Sequence, residues 1–244
     1  MLLEFKNIEV LYNNVILALK GVTIEVSEGD VVTILGANGA GKTTILKAVS
    51  GILTIENGKV SNGEILFEGK RIENKDPAEI ARLKISLVME GRELFRTLTV
   101  EENLKVGALI RKDNKKEIRN DLEVIFQYFP ILKERKRQIA GTLSGGEQQM
   151  LVISVALMTK PKLLLLDEPS LGLAPIIAEL VFGAVENINK NLRTTILLVE
   201  QNVSLSLPIS QYIYVITNGL VALKSTAEEI KGKDISQYYL GLGT

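Results

Sequence analysis

The nine residues Gly36-Ala37-Asn38-Gly39-Ala40-Gly41-Lys42-Thr43-Thr44 match G-x-x-x-x-G-K-[ST], the phosphate-binding P-loop pattern. Few short stretches restrict a fold as tightly, because the pattern works only between a buried strand and the start of a helix. Both neighbours are present. Val31-Val32-Thr33-Ile34-Leu35 reads as a β-branched apolar strand, residues 44–50 read as a helix, and Gly51 is placed to end it. In that setting the glycines let successive backbone N–H groups converge on an anion. The new helix adds its unpaired N–H groups and the positive end of its dipole. Gly36, Ala37, Asn38, Gly39, Ala40, Gly41, Lys42, Thr43 and Thr44 are therefore expected to cradle a nucleoside triphosphate. Lys42 is expected to reach the β- and γ-phosphates, and Thr43 to place its hydroxyl on Mg²⁺. The alternative is a glycine-rich strand-to-helix turn that binds nothing.

Two further stretches bear on that choice. Lys162-Leu163-Leu164-Leu165-Leu166 reads as a parallel strand buried on both faces, and it ends in Asp167-Glu168. This is a Walker B pattern. A rigid apolar strand can hold Asp167 where it binds Mg²⁺, directly or through water, and Glu168 where it polarises the attacking water. Alone, an Asp-Glu pair is often a solvated turn; a P-loop about 125 residues upstream favours the site. In Leu143-Ser144-Gly145-Gly146-Glu147-Gln148-Gln149, Ser144 and Glu147 form a capping box. That glycine-rich helix start is a second anion site by the same physics.

The 244 residues suffice for one large α/β domain or two small lobes, and a 46% hydrophobic content allows a substantial core. The 29 basic and 29 acidic residues cancel, so no global field favours nucleic acid or an anionic membrane. Absence of cysteine excludes disulfides and thiolate metal sites and suits the cytoplasm; absence of histidine removes the usual general base. Residues 1–10 show a strand pattern rather than a signal peptide, and no apolar run reaches the length of a membrane span.

Residues 3–10 alternate as an edge strand would, 22–26 form a second strand, and 61–70 are strand and turn. Residues 85–89 form a short strand. From 97 the pattern turns helical, with Thr99 and Glu102 as a capping box and Leu104, Ala108 and Ile110 near one face. The charged runs 111–119 and 133–137 are expected to be solvated helix faces, and Pro130 divides the region. A helix over 176–189, a strand over 194–199, a hairpin around Asn218-Gly219 and a helix over 228–240 follow. The expected fold is α/β: a P-loop NTPase core with a mainly parallel sheet flanked by helices, an N-terminal antiparallel β subdomain and an inserted helical subdomain. Residues 1–91 and 156–244 would form the nucleotide-binding lobe and 92–155 the helical lobe.

Taken in order, the P-loop, Leu-Ser-Gly-Gly-Glu-Gln and Leu-Leu-Leu-Asp-Glu-Pro resemble the ATP-binding subunits of ABC transporters, over nearly the whole chain. The resemblance implies ATP and Mg²⁺ as ligands and a head-to-tail pairing with a second ATPase subunit, identical or different. Ser144, Gly145 and Gly146 would then contact the γ-phosphate held by the partner subunit. Tyr12 stands where the family places an aromatic residue that stacks on adenine; its alternative is an ordinary strand-end aromatic.

Val88-Met89-Glu90-Gly91-Arg92-Glu93-Leu94-Phe95 resembles the Q-loop region, with Glu90 in place of glutamine. By resemblance Glu90 either ligates Mg²⁺ or orients the water, or else pairs with Arg92 or Arg96. In Leu198-Val199-Glu200-Gln201-Asn202, Gln201 stands where most members carry histidine. An amide cannot act as a base, so Glu168 would carry that role. Glu-Gly-Arg, Val-Glu-Gln-Asn and Gly-Leu-Ala-Pro are similar to the LivF-type ATPases of branched-chain amino-acid importers. Met89, Arg96 and Val155 depart from that pattern. The resemblance implies a cytoplasmic subunit on the inner face of the cell membrane, working with two permease subunits and indirectly with a solute-binding protein, without nucleic acid. Importers of urea, amides or other amino acids, and soluble ABC ATPases, are the alternatives.

Overall fold

A computed structural model describes residues 1–231. Strands β1 (Leu3–Tyr12), β2 (Ile16–Val26) and β3 (Val31–Leu35) lead into α1 (Lys42–Ser50). Next come β4 (Gly58–Phe67), β5 (Lys70–Arg71), α2 (Pro77–Arg82) and β6 (Ile85–Val88). Four helices follow without a strand between them: α3 (Val100–Gly107), α4 (Lys115–Tyr128), α5 (Pro130–Glu134) and α6 (Gly145–Leu157). The chain continues through β7 (Leu163–Asp167), α7 (Pro175–Leu192), β8 (Thr195–Glu200), α8 (Val203–Ser206), β9 (Tyr212–Thr217), β10 (Leu220–Thr226) and α9 (Ala227–Ile230). Of the helix expected over 228–240, residues beyond 231 lie outside the described part of the chain.

The strands form two sheets. An antiparallel sheet runs β2-β1-β4-β5, and a second sheet runs β10-β9-β3-β8-β7-β6 with parallel pairing throughout except at the β9/β10 hairpin. The N-terminal strand is not an edge: β1 pairs with β2 on one side and β4 on the other. Alternation of apolar residues reports one buried face, and it is blind to the number of neighbours. The hairpin forms as expected, with Asn218 at φ 51 and Gly219 at φ 80, the positive angles a two-residue turn needs.

Burial explains the layers. Leu163 and Leu165 join Leu197 and Val199 in a core with α1 and the antiparallel sheet, while Leu164 and Leu166 join Ile196 and Leu198 against α6 and α7. All four leucines of β7 are fully buried, each contributing roughly 1.5–3 kcal/mol. Helix α1 is thereby held between the two sheets. The boundary expected between 155 and 156 falls inside α6, whose Leu151 and Ile153 share a core with the strands.

Two expectations for the helical region need correction. Leu104 and Ala108 are buried, but Ile110 lies past the end of α3 and is 48% exposed. The run 111–119 is not wholly solvated. Arg111 buries its guanidinium, bonds the carboxylates of Asp113 and Asp121, and donates to the Met158 carbonyl at 2.7 Å. Lys160 reaches the same two carboxylates at 3.6 and 3.0 Å. These charges tie the end of α3 to α4 and to the end of α6.

Candidate active site

Strands β3, β8 and β7 lie side by side, with Leu35 level with Glu200 and Asp167 level with Val199. Ligands of such sheets bind beyond the carboxyl ends of the strands, and the chemistry-bearing residues converge there. Gly41 begins α1 at φ 108, a conformation open to glycine, and offers no side chain to cap the helix. The first N–H groups of α1 are therefore left for a ligand.

Lys42 is almost fully buried. Its Nζ donates to the Ala37 carbonyl at 3.1 Å and lies 3.1 Å from Glu168 Oε1. Thr43 donates its hydroxyl to Asp167 Oδ1 at 3.1 Å. Glu168 follows the last residue of β7 at φ 42, its N–H held by the Val199 carbonyl at 2.9 Å. Gln201 follows β8, and its Nε2 donates to Glu168 Oε1 at 3.0 Å, to Oε2 at 2.8 Å, and to Asn38 Oδ1 in the P-loop. Asn38, Lys42, Glu168 and Gln201 are thus linked by hydrogen bonds and an ion pair, and the Thr43–Asp167 pair adjoins them through the chain at Lys42 and Glu168. All of them but Asp167, which is buried, border a cleft of about 740 Å³.

Burial is the main force on Asp167 and pushes its pKa up to about 6. The charges of Glu168 and Glu90 push the same way, against the Thr43 hydrogen bond and the Lys42 ammonium. A carboxylate so placed calls for a cation. Thr43 and Asp167 offer hard oxygen donors 3.1 Å apart. Adjacent corners of a Mg²⁺ octahedron with bonds of about 2.1 Å are about 3.0 Å apart, so the pair fits this ion.

Other predicted residues sit elsewhere. Ser144 caps α6 in the expected box, donating its N–H to Glu147 Oε2 at 2.8 Å and accepting from the Glu147 N–H at 3.4 Å. Neither it nor Gly145 or Gly146 lines the cleft. Gly146 presses on α7 so closely that a Cβ would lie 2.3 Å from Ile177 Cγ2. Glu90 is exposed at the cleft's border. It makes no ion pair with Arg92 or Arg96 among the described residues; Arg92 instead donates to the Leu171 carbonyl at 2.9 Å. Tyr12 ends β1. Its ring seats on Gly58, its cross-strand neighbour, where a Cβ would lie 2.8 Å from Tyr12 Cε1, and it does not line the cleft. Bare backbone at Gly58 makes that seat. Ile16, Leu17 and Ala18 give the cleft an apolar wall.

Besides these, other contributors escaped sequence reasoning. Asn218 and Gly219 also line the cleft, because the Gly219 N–H is donated to the Ala40 carbonyl at 2.9 Å. Glu200 is buried and accepts from the N–H groups of Ser170 at 3.1 Å, Gln201 at 2.7 Å and Asn202 at 2.9 Å, as well as from the Ser170 hydroxyl. Its signal was a charge closing an otherwise apolar strand.

The geometry has counterparts. The family model for ABC transporters matches residues 19–171, more than half of the chain. The chain is 42% identical over 241 residues to the high-affinity branched-chain amino acid transport ATP-binding protein BraG of Pseudomonas aeruginosa, covering 98% of this chain and 100% of BraG. It is 36% identical to the probable branched-chain amino acid transport ATP-binding protein LivF of Archaeoglobus fulgidus, covering 86% of each. Among solved structures, the ADP conformation of MJ1267, an ATP-binding cassette of an ABC transporter, superposes with a TM-score of 0.84 at 32% identity, covering 98% of both chains. A cleft lined by Lys42, Thr43 and Glu168, with Asp167 bonded to Thr43, together with these likenesses, makes the chain an ATP-binding member of the ABC transporter family.

Proposed function

We propose that this chain couples ATP hydrolysis to the import of branched-chain amino acids, as one half of an ATPase pair bound to membrane permease subunits. The carrying observation is the split in the site. Lys42, Thr43, Glu168 and Gln201 line one cleft, with Asp167 bonded to Thr43, while the anion-seeking start of α6 at Ser144, Gly145 and Gly146 does not line it. A helix end with free N–H groups outside the cleft fits a phosphate presented by another chain. No helix among the described residues is long and apolar enough to cross a membrane, so the translocation path belongs to other subunits. The substrate class follows from the relatives BraG and LivF. The chain's place is the cytoplasmic face of the membrane, where ATP is available.

Within the cleft the P-loop N–H groups and Lys42 bind the triphosphate, and Thr43 and Asp167 hold Mg²⁺. When bound, Mg²⁺ would supply charge neutralisation to the triphosphate. Lys42 lies on Glu168; a γ-phosphate competes for that ammonium and leaves the carboxylate to Gln201 and to the attacking water. Glu168 then accepts the proton of the water as general base, and Gln201 orients the carboxylate. Glu90 to Leu98, between β6 and α3, is the expected contact to the permease.

The test is Glu168→Gln. Hydrolysis is expected to fall by roughly 10²–10⁴-fold with ATP binding retained; turnover at the wild-type rate refutes the assignment. For the substrate, cells lacking this chain are expected to lose high-affinity leucine uptake, and unchanged uptake refutes that part.

A further inference from the structure

Glu200 is a carboxylate buried to 2% exposure, and the hydrolytic reading above leaves it without a task. Among the described residues it pairs with no cation; it accepts from three backbone N–H groups and one hydroxyl. These donors come from two places. Ser170 lies in the turn over residues 169–172 after β7, whereas Gln201 and Asn202 begin the segment after β8. The same two segments meet again through side chains, since Gln201 Nε2 donates to both oxygens of Glu168. Covalent bonds and hydrogen bonds thus close a ring: Glu168, Pro169, Ser170, Glu200, Gln201 and back to Glu168.

We infer that Glu200 is a positioning residue for hydrolysis, setting the angle between the Glu168 turn and the Gln201 amide. The chemistry requires an ionised carboxylate. Four donors converge on it, and a carboxylate offers acceptors alone, whereas an amide would turn an N–H₂ donor against some of them. The strand that carries Glu200 is fixed on both sides, by β3 and β7, so its side chain is anchored to the sheet rather than to a loop. Glu168 sits in the left-handed region at φ 42, a conformation that holds only where surrounding bonds enforce it. The grip of Glu200 on Ser170, two residues on, supplies one of those bonds. Through Ser170 the ring also reaches Leu171, whose carbonyl accepts from Arg92 at 2.9 Å. A shift of the loop carrying Arg92 therefore pulls on the same ring that aims Gln201 at Glu168.

The inference rests on Glu168 as general base, and the experiment separates the two. ATP turnover and binding of a fluorescent ATP analogue are measured on the purified full chain and on Glu168→Gln, Glu200→Gln, Gln201→Ala and the double variant Glu200→Gln with Gln201→Ala. Glu200→Gln is expected to lower kcat roughly tenfold while KM and analogue affinity stay within about twofold. In the Gln201→Ala background the same change is expected to cost at most about threefold, because the ring is already open. An unchanged kcat in Glu200→Gln, or an equal loss in both backgrounds, overturns the inference. If Glu168→Gln is dead while Glu200→Gln is unimpaired, the base assignment stands and only the inference fails; if Glu168→Gln turns over normally, the base assignment itself fails. Should Glu200→Gln not fold, Ser170→Ala removes the hydroxyl donor alone. A smaller kcat loss with the same non-additivity supports the ring, and additive or absent effects overturn it.

Discussion

Gln201 donates its side-chain amide to both carboxylate oxygens of Glu168, at 3.0 and 2.8 Å. One neutral donor thereby orients the carboxylate and, in the proposed hydrolysis, does not compete for the proton. Gln201→Ala is expected to lower kcat about 10–100-fold, the worth of a lost hydrogen bond to a charged group, with nucleotide affinity little changed. Gln201→His should retain part of the activity and add a limb to the kcat–pH profile near the ordinary histidine pKa of about 6.5. Turnover measured between pH 5.5 and 8.5 checks both.

Asp167 carries a cost that nucleotide-free protein should reveal. Burial raises its pKa from the ordinary 3.8 to about 6. The folded chain therefore holds a proton between these values that the unfolded chain has released, so this group favours folding as the pH falls through 6 and opposes it above. Without metal, Asp167→Asn is expected to melt above the wild type at pH 8. The difference should shrink as the pH falls below 6 and vanish near 4. Thermal unfolding across that range, with a chelator present, is the measurement.

Gly146 and Ile177 should show a change of sign. A Cβ at 146 would lie 2.3 Å from Ile177 Cγ2, an atom on a stiff β-branched side chain. Gly146→Ala is expected to destabilise by about 1–3 kcal/mol from overpacking, more than the helix-propensity gain of about 1 kcal/mol. In an Ile177→Ala background only the propensity gain remains, and the same change should stabilise. Urea unfolding of the four proteins decides it.

Arg111 holds the helical region together through Asp113, Asp121 and the Met158 carbonyl. Arg111→Ala is expected to cost about 2 kcal/mol or more by leaving these acceptors unpaired. Arg111→Lys should recover little, since an ammonium cannot reproduce the guanidinium fork. ATP affinity should be unaffected in both, as no residue of that cluster lines the cleft.

What was legible in the sequence was what depends on near neighbours. The strand–loop–helix at Gly36 to Thr44, the capping boxes at Thr99 and Ser144, and the hairpin at Asn218-Gly219 are all set within a few residues, and each is present. The apolar run ending at Asp167 announced a strand buried on both faces for the same reason. Other features depend on segments far apart in the chain. Tyr12 is claimed by Gly58, which only strand pairing brings alongside. Arg111 is buried by residues of α4 and α6. Glu200 was visible as a charge but not as the junction of two turns, because Ser170 reaches it only once β7 and β8 are adjacent.

The left-handed backbone of Glu168, at φ 42, sets two kinds of selection against each other. Glycine or asparagine enters that region more easily than glutamate does. A library at position 168 sorted for resistance to heat should therefore enrich those residues, and one sorted for growth on an imported nutrient should return glutamate.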